Sequence, residues 1–143
     1  MDRAGRKQLL SGSFLAMGAF MVLLAASMTV PALAPLSGTI ALVGTLGYIL
    51  AFALGCGPVP ALLSSEIFPT AVRGAGMSLC LLTHWVANFC IGQFFLVAVE
   101  SVGLPSVYLF FAAVCAAGAL FVRGPSVPET KGASLDEIQA LMA

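Results

Sequence analysis

Charge is nearly missing from most of this sequence. No acidic or basic side chain lies between Lys7 and Glu66, between Arg73 and Glu100, or between Glu100 and Arg123. Only 8% of the residues are charged and 60% are hydrophobic, where soluble domains carry about 25% charged residues. A soluble fold of this length could bury a core, but it would still need a polar skin. This composition cannot supply one, so the chain reads as a membrane protein. The first uncharged gap can hold two spans of roughly 20 apolar residues, and each of the others holds one. The formal net charge is zero, which leaves no electrostatic footprint for nucleic acid.

Other absences narrow the function. No glycine-rich phosphate loop or nucleic-acid motif occurs. Cys56, Cys80, Cys90 and Cys115 all sit in apolar stretches without a C-x-x-C pair, so they read as small hydrophobes rather than metal ligands or disulfides. The spans hold no carboxylate pair, nucleophile–base pair or metal cluster, which argues against an enzyme and implies no cofactor. No signal or transit pattern opens the chain, and the first apolar run is too long for a signal h-region. Any targeting information is expected outside these residues.

What remains is four apolar spans, expected at 9–30, 37–64, 76–99 and 106–122. Pro31 and Pro35 end the first, because proline lacks the N–H that a continuing helix needs. Gly103 and Pro105 mark the last turn. Barrel strands are only roughly ten residues long and alternate in polarity, whereas these runs are longer and apolar on all sides. Four spans put both chain ends on one side. All six basic residues (Arg3, Arg6, Lys7, Arg73, Arg123 and Lys131) then fall on that side, which marks it as cytoplasmic or its equivalent. Beyond the fourth span, Ser134-Leu135-Asp136-Glu137 fits a capping box and opens an apolar stripe at helical spacing. A short interfacial helix is expected over 135–142.

Three features bear on function. The second span contains Gly55-Cys56-Gly57-Pro58-Val59-Pro60. Pro58 cannot donate to the Leu54 carbonyl, nor Pro60 to that of Cys56, so the helix should bend there. Such a break lines a site in many secondary transporters, or it serves packing alone. Phe52, Gly57 and Pro58 are the candidate site residues of this stretch. The third span carries His84, Trp85 and Asn88. His84 and Asn88 share a helix face. An imidazole, an amide and an indole together suit a neutral, hydroxyl-rich ligand, since they can donate, accept and stack on C–H groups. The bland reading is hydrogen-bonded glue between helices. Finally, Asp2, Arg3, Arg6, Glu66, Arg73, Glu129 and Lys131 gather at the basic edge. They form either a network that biases a gate or a plain topological anchor.

Four of these segments together resemble one family. Asp2-Arg3-Ala4-Gly5-Arg6-Lys7 is similar to the D-R-x-G-R-[KR] loop between helices eight and nine of sugar porters of the major facilitator superfamily. Gly57-Pro58-Val59-Pro60 resembles their helix-ten G-P-x-P motif, and Glu66-Ile67-Phe68-Pro69 with Arg73-Gly74 resembles the element that follows it. Pro128-Glu129-Thr130-Lys131-Gly132 matches the signature after helix twelve. Within the family, Gly57 to Leu63, and His84-Trp85 with Asn88-Phe89, resemble plant and algal plastidic glucose transporters.

The resemblance implies an all-α membrane fold with four helices equivalent to helices nine to twelve of a twelve-helix carrier. The chain would then be part of a C-terminal half, with helices one to eight of the same carrier as its partners beside the lipid bilayer. It implies alternating-access transport of a hexose, with a sugar sensor or regulatory half-carrier as the alternative. It also implies a plastid envelope or plasma membrane location. The glutamate and tryptophan that animal-type glucose carriers place on helix ten correspond here to Ala53 and Ala61. Their two helix-eleven asparagines correspond to His84 and Asn88. Arg3, Arg6, Glu66 and Arg73 match the family's cytoplasmic gate network by type.

Overall fold

The computed structural model describes residues 5–125 and Val127. The expected tail helix at 135–142 lies outside the described residues, as do Asp2, Arg3, Glu129 and Lys131. Among the described residues every regular element is helical: α1 Arg6–Thr29, α2 Ser37–Leu54, α3 Pro58–Ile67, α4 Arg73–Val102 and α5 Leu104–Arg123. A 3-10 turn, Pro31–Leu36, joins α1 to α2. Among the described residues four segments are long and apolar enough to cross a membrane, with α2 and α3 counting as one, Pro31–Ile67. The 24 residues of α1 give a rod of about 36 Å, enough for a hydrocarbon core of about 30 Å.

Helix is the form that lets apolar runs satisfy their own backbone in lipid. The connections follow from local chemistry. Pro31 starts the 3-10 turn where its missing N–H has no partner to lose. Gly103 adopts φ 81° and ψ 150° between α4 and α5, a left-handed conformation that a Cβ disfavours. Helix α4 runs beyond 76–99 at both ends, taking in Arg73 and Glu100. A charged residue at the interface can stay helical, so loss of hydropathy does not mark the helix end.

Helix α1 is the centre of the packing, with α5 on one side and α2 on the other. Small residues let it approach closely, as expected where lipid tails leave helices only packing and polar contacts to hold them. A Cβ on Gly18 would sit 3.3 Å from the Cys115 Cβ and 3.5 Å from the Ala112 carbonyl oxygen. Gly118 of α5 takes the Phe14 ring, and Gly44 of α2 takes Leu24. One buried cluster joins Leu10, Val59 and Val122, and a second joins Met17, Ala51 and Cys115. Helix α4 differs from the rest. It leans on α3 and α5, and none of its residues is buried.

Two long-range contacts gather one end of the bundle. Arg6 Nη2 lies 3.2 Å from Glu66 Oε1, tying the start of α1 to the end of α3. Lys7 Nζ donates to the Gly124 carbonyl at 2.7 Å, tying it also to the end of α5. The segments carrying Arg6, Lys7, Glu66 and Arg123 therefore share an end.

Candidate functional site

The helix break lies one turn earlier than the prolines suggest. Helix α2 stops at Leu54 and α3 starts at Pro58. Pro58 is thus the first residue of a new helix and Pro60 the third. First-turn N–H groups lack intrahelical partners, so neither proline removes a bond that α3 would otherwise make. The irregular backbone is 55–57. There the Gly55 N–H turns to the Phe52 carbonyl at 3.2 Å, and the Gly57 N–H reaches the same carbonyl at 2.9 Å.

Two of the groups that this rearrangement strands are met by α1. The Ala51 carbonyl loses its usual donor, the Gly55 N–H, and the Cys56 N–H loses its usual acceptor, the Phe52 carbonyl. Ser13 of α1 serves both. Its hydroxyl donates to the Ala51 oxygen at 2.6 Å and accepts from the Cys56 N–H at 3.0 Å. The approach is close: a Cβ on Gly55 would lie 2.5 Å from the Ser13 Cβ and 2.6 Å from the Leu9 carbonyl oxygen. Nothing in the sequence pattern singles out Ser13. Its partners are 38 and 43 positions away.

Phe52, Gly57 and Pro58 all stand at this break. Phe52 supplies the shared carbonyl and also packs its ring near Gly57, 3.2 Å from a Cβ placed there. Phe52 itself is 44% exposed. His84, Trp85 and Asn88 form a second group on α4. Asn88 Nδ2 donates to the His84 carbonyl at 2.9 Å and lies 3.2 Å from His84 Nε2. The His84 and Trp85 rings meet edge to face at 5.5 Å. All three side chains are exposed, Trp85 at 62%. Among the described residues no hydrogen bond or ring contact joins this group to the break. The Asn88 amide and the His84 imidazole and carbonyl meet each other within one helix turn, and both residues are exposed.

At the basic end the two charged residues flanking the α3–α4 loop take different partners. Glu66 pairs with Arg6, both about a quarter exposed. Arg73, seven positions after Glu66, instead donates from Nε to the Phe68 carbonyl at 3.2 Å and closes the loop between α3 and α4. Its Nη2 is buried and has no hydrogen-bond partner among the described residues. The Lys7 bond to Gly124 places a cation on the carbonyls at the end of α5, where helix polarity favours it.

The family described as "Sugar (and other) transporter" matches residues 1–142 of the chain. The chain is 52% identical to plastidic glucose transporter 4 of Arabidopsis thaliana over 97% of its own length and 25% of that protein. It is 36% identical to the arabinose–proton symporter of Bacillus subtilis, over 99% of its length and 30% of that protein. Among solved structures, the inward-open xylose transporter XylE of E. coli superposes with a TM-score of 0.87 at 34% identity. That superposition covers 99% of this chain and 31% of XylE. The chain therefore spans roughly a quarter to a third of the length of these three proteins.

Proposed function

Because this chain belongs to the sugar transporter family, we propose that it forms four helices of a carrier that moves a hexose across a membrane by alternating access. These correspond to helices nine to twelve, and the remaining helices supply the other side of the sugar path. The observation that carries the reading is the broken helix, α2 and α3, beside α4, whose side chains are unburied. A break of this kind gives a membrane helix a place to bend, and α4 presents Asn88, His84 and Trp85 where a hydroxyl-rich solute can meet them. Phe52, Gly57 and Pro58 contribute the apolar wall at the break. Arg6, Glu66 and Arg73, with Asp2, Arg3, Glu129 and Lys131, act at the basic end as a gate network.

Transport is favoured over sensing because the relative at 52% identity bears a transporter name, whereas a relative named for monosaccharide sensing stands at 36%. The name of the first relative also supports a plastid envelope location. The test is a chimaera in which this chain replaces the matching quarter of the Arabidopsis plastidic glucose transporter, assayed for glucose uptake in proteoliposomes. Uptake above empty liposomes, abolished by excess unlabelled hexose, is expected. A chimaera that inserts at normal abundance yet takes up no hexose defeats the reading.

A further inference from the structure

Three serines of α1 are equally buried, Ser11, Ser13 and Ser27, each 6% exposed. Two of them spend their hydroxyls on their own helix. Ser11 donates to the Gln8 carbonyl at 3.3 Å and Ser27 to the Leu24 carbonyl at 2.7 Å. Such back-bonding is the ordinary habit of a serine in a membrane helix. Ser13 also lies 3.7 Å from Met17 Sδ on its own helix, but it alone of the three bonds outside it. It occupies the two backbone positions that the α2–α3 break vacates, the Ala51 carbonyl and the Cys56 N–H.

We propose that Ser13 is the positioning residue of the α2–α3 hinge, a pin whose hydroxyl holds the bend open between Leu54 and Pro58. Unpaired backbone groups at this depth have no water to turn to, so a bend without the pin is unfavourable. The prolines do not pin the bend themselves. They begin α3 and leave 55–57 free to take either of two pairings. In the bent pairing, Ser13 bridges Ala51 and Cys56. In the other, the Gly55, Cys56 and Gly57 N–H groups return to the Ala51, Phe52 and Ala53 carbonyls, and the Ser13 hydroxyl turns back to the Leu9 carbonyl one turn earlier in α1. Both pairings give the Ala51 carbonyl and the Cys56 N–H a partner, so the hinge can move without leaving either of those two groups unpaired in lipid. Gly55 is part of the device, because any side chain there would strike Ser13 and Leu9.

The pin is tested first on the 143-residue chain in lipid nanodiscs, by hydrogen–deuterium exchange of the peptide covering 52–57. Ser13→Ala should raise its exchange rate by roughly tenfold, since one substitution strips a partner from a donor and an acceptor together. Ser13→Cys, close in shape but a weaker hydrogen-bonder, should give an intermediate rise. Ser11→Ala and Ser27→Ala should leave the peptide unchanged. No rise in Ser13→Ala, or an equal rise in Ser11→Ala, overturns the pin.

The second arm rests on the transport reading and uses the glucose transporter chimaera. Ser13→Ala should change the maximal uptake rate while holding the half-saturating sugar concentration within about twofold, as expected for a residue that acts on a conformational step. A changed half-saturating concentration with an unchanged maximal rate overturns the positioning role. A chimaera that transports nothing even with Ser13 in place defeats the transport reading alone, and the exchange result stands by itself.

Discussion

Arg6 of α1 and Glu66 of α3 form an ion pair at 3.2 Å across sixty positions of sequence, while Arg73, much nearer to Glu66 along the chain, turns to the Phe68 carbonyl. The pair is partly exposed, so its contribution to stability is small, about 0–1 kcal/mol. Its position matters more than its strength. It fastens the end of a broken helix to the start of the helix that pins the break.

Glu66→Gln in the chimaera should therefore leave membrane abundance unchanged and shift the balance between inward-open and outward-open states. Cysteine-probe labelling from each side of the membrane reads that balance. Identical labelling ratios in the variant and the parent would assign the pair to anchoring alone.

Arg73→Ala should act on the same balance through the α3–α4 loop. It removes the bond to the Phe68 carbonyl and a guanidinium whose Nη2 is buried. The same two-sided labelling is the check, and equal accessibility in variant and parent would exclude a gate role.

Gly55→Ala and Gly12→Ala should differ in sign. An alanine at 55 meets the Leu9 carbonyl oxygen at 2.6 Å, a backbone atom that cannot swing aside, and should destabilise by about 1–3 kcal/mol. An alanine at 12 meets nothing within 4 Å and sits inside a helix, where it should be neutral or stabilise by up to about 1 kcal/mol. Thermal unfolding of the two variants in one detergent compares them directly.

Asn88→Ala should lower hexose uptake by the chimaera without lowering its abundance. Asn88 is exposed, and among the described residues its bonds run to His84 on its own helix, so little packing is lost. Uptake normalised to surface protein is the measurement. Parental uptake in the variant would move Asn88 to a packing role.

Lys7→Met should cost about 1 kcal/mol by removing a charged donor from the Gly124 carbonyl at the end of α5. Reversible unfolding in mixed micelles, compared with Lys7→Arg, measures it. An arginine can still donate to that carbonyl and should recover most of the loss.

Much of the architecture is legible without coordinates. Long uncharged runs can only be helices if they lie in lipid, and placing all six basic residues on one side follows from four such crossings. The existence of a break in the second span is also legible, from two glycines and two prolines in six positions. Its location is not. Proline reads as the breaker, yet here both prolines open the new helix, and the irregular turn precedes them. Ser13 is invisible for a different reason. A serine in an apolar span looks the same whether it bonds to its own helix, as Ser11 and Ser27 do, or to another one.

By itself, then, the sequence determined the solvent of this protein, the number of its crossings and the end at which its cations gather. Those properties are sums over many residues, and no single contact can reverse them. Tertiary structure alone decided which cation meets Glu66, where the second crossing breaks and which hydroxyl completes the backbone there. Each of those outcomes depends on a few tenths of a nanometre between residues distant in sequence, and only the packing of α1 against its neighbours sets those separations.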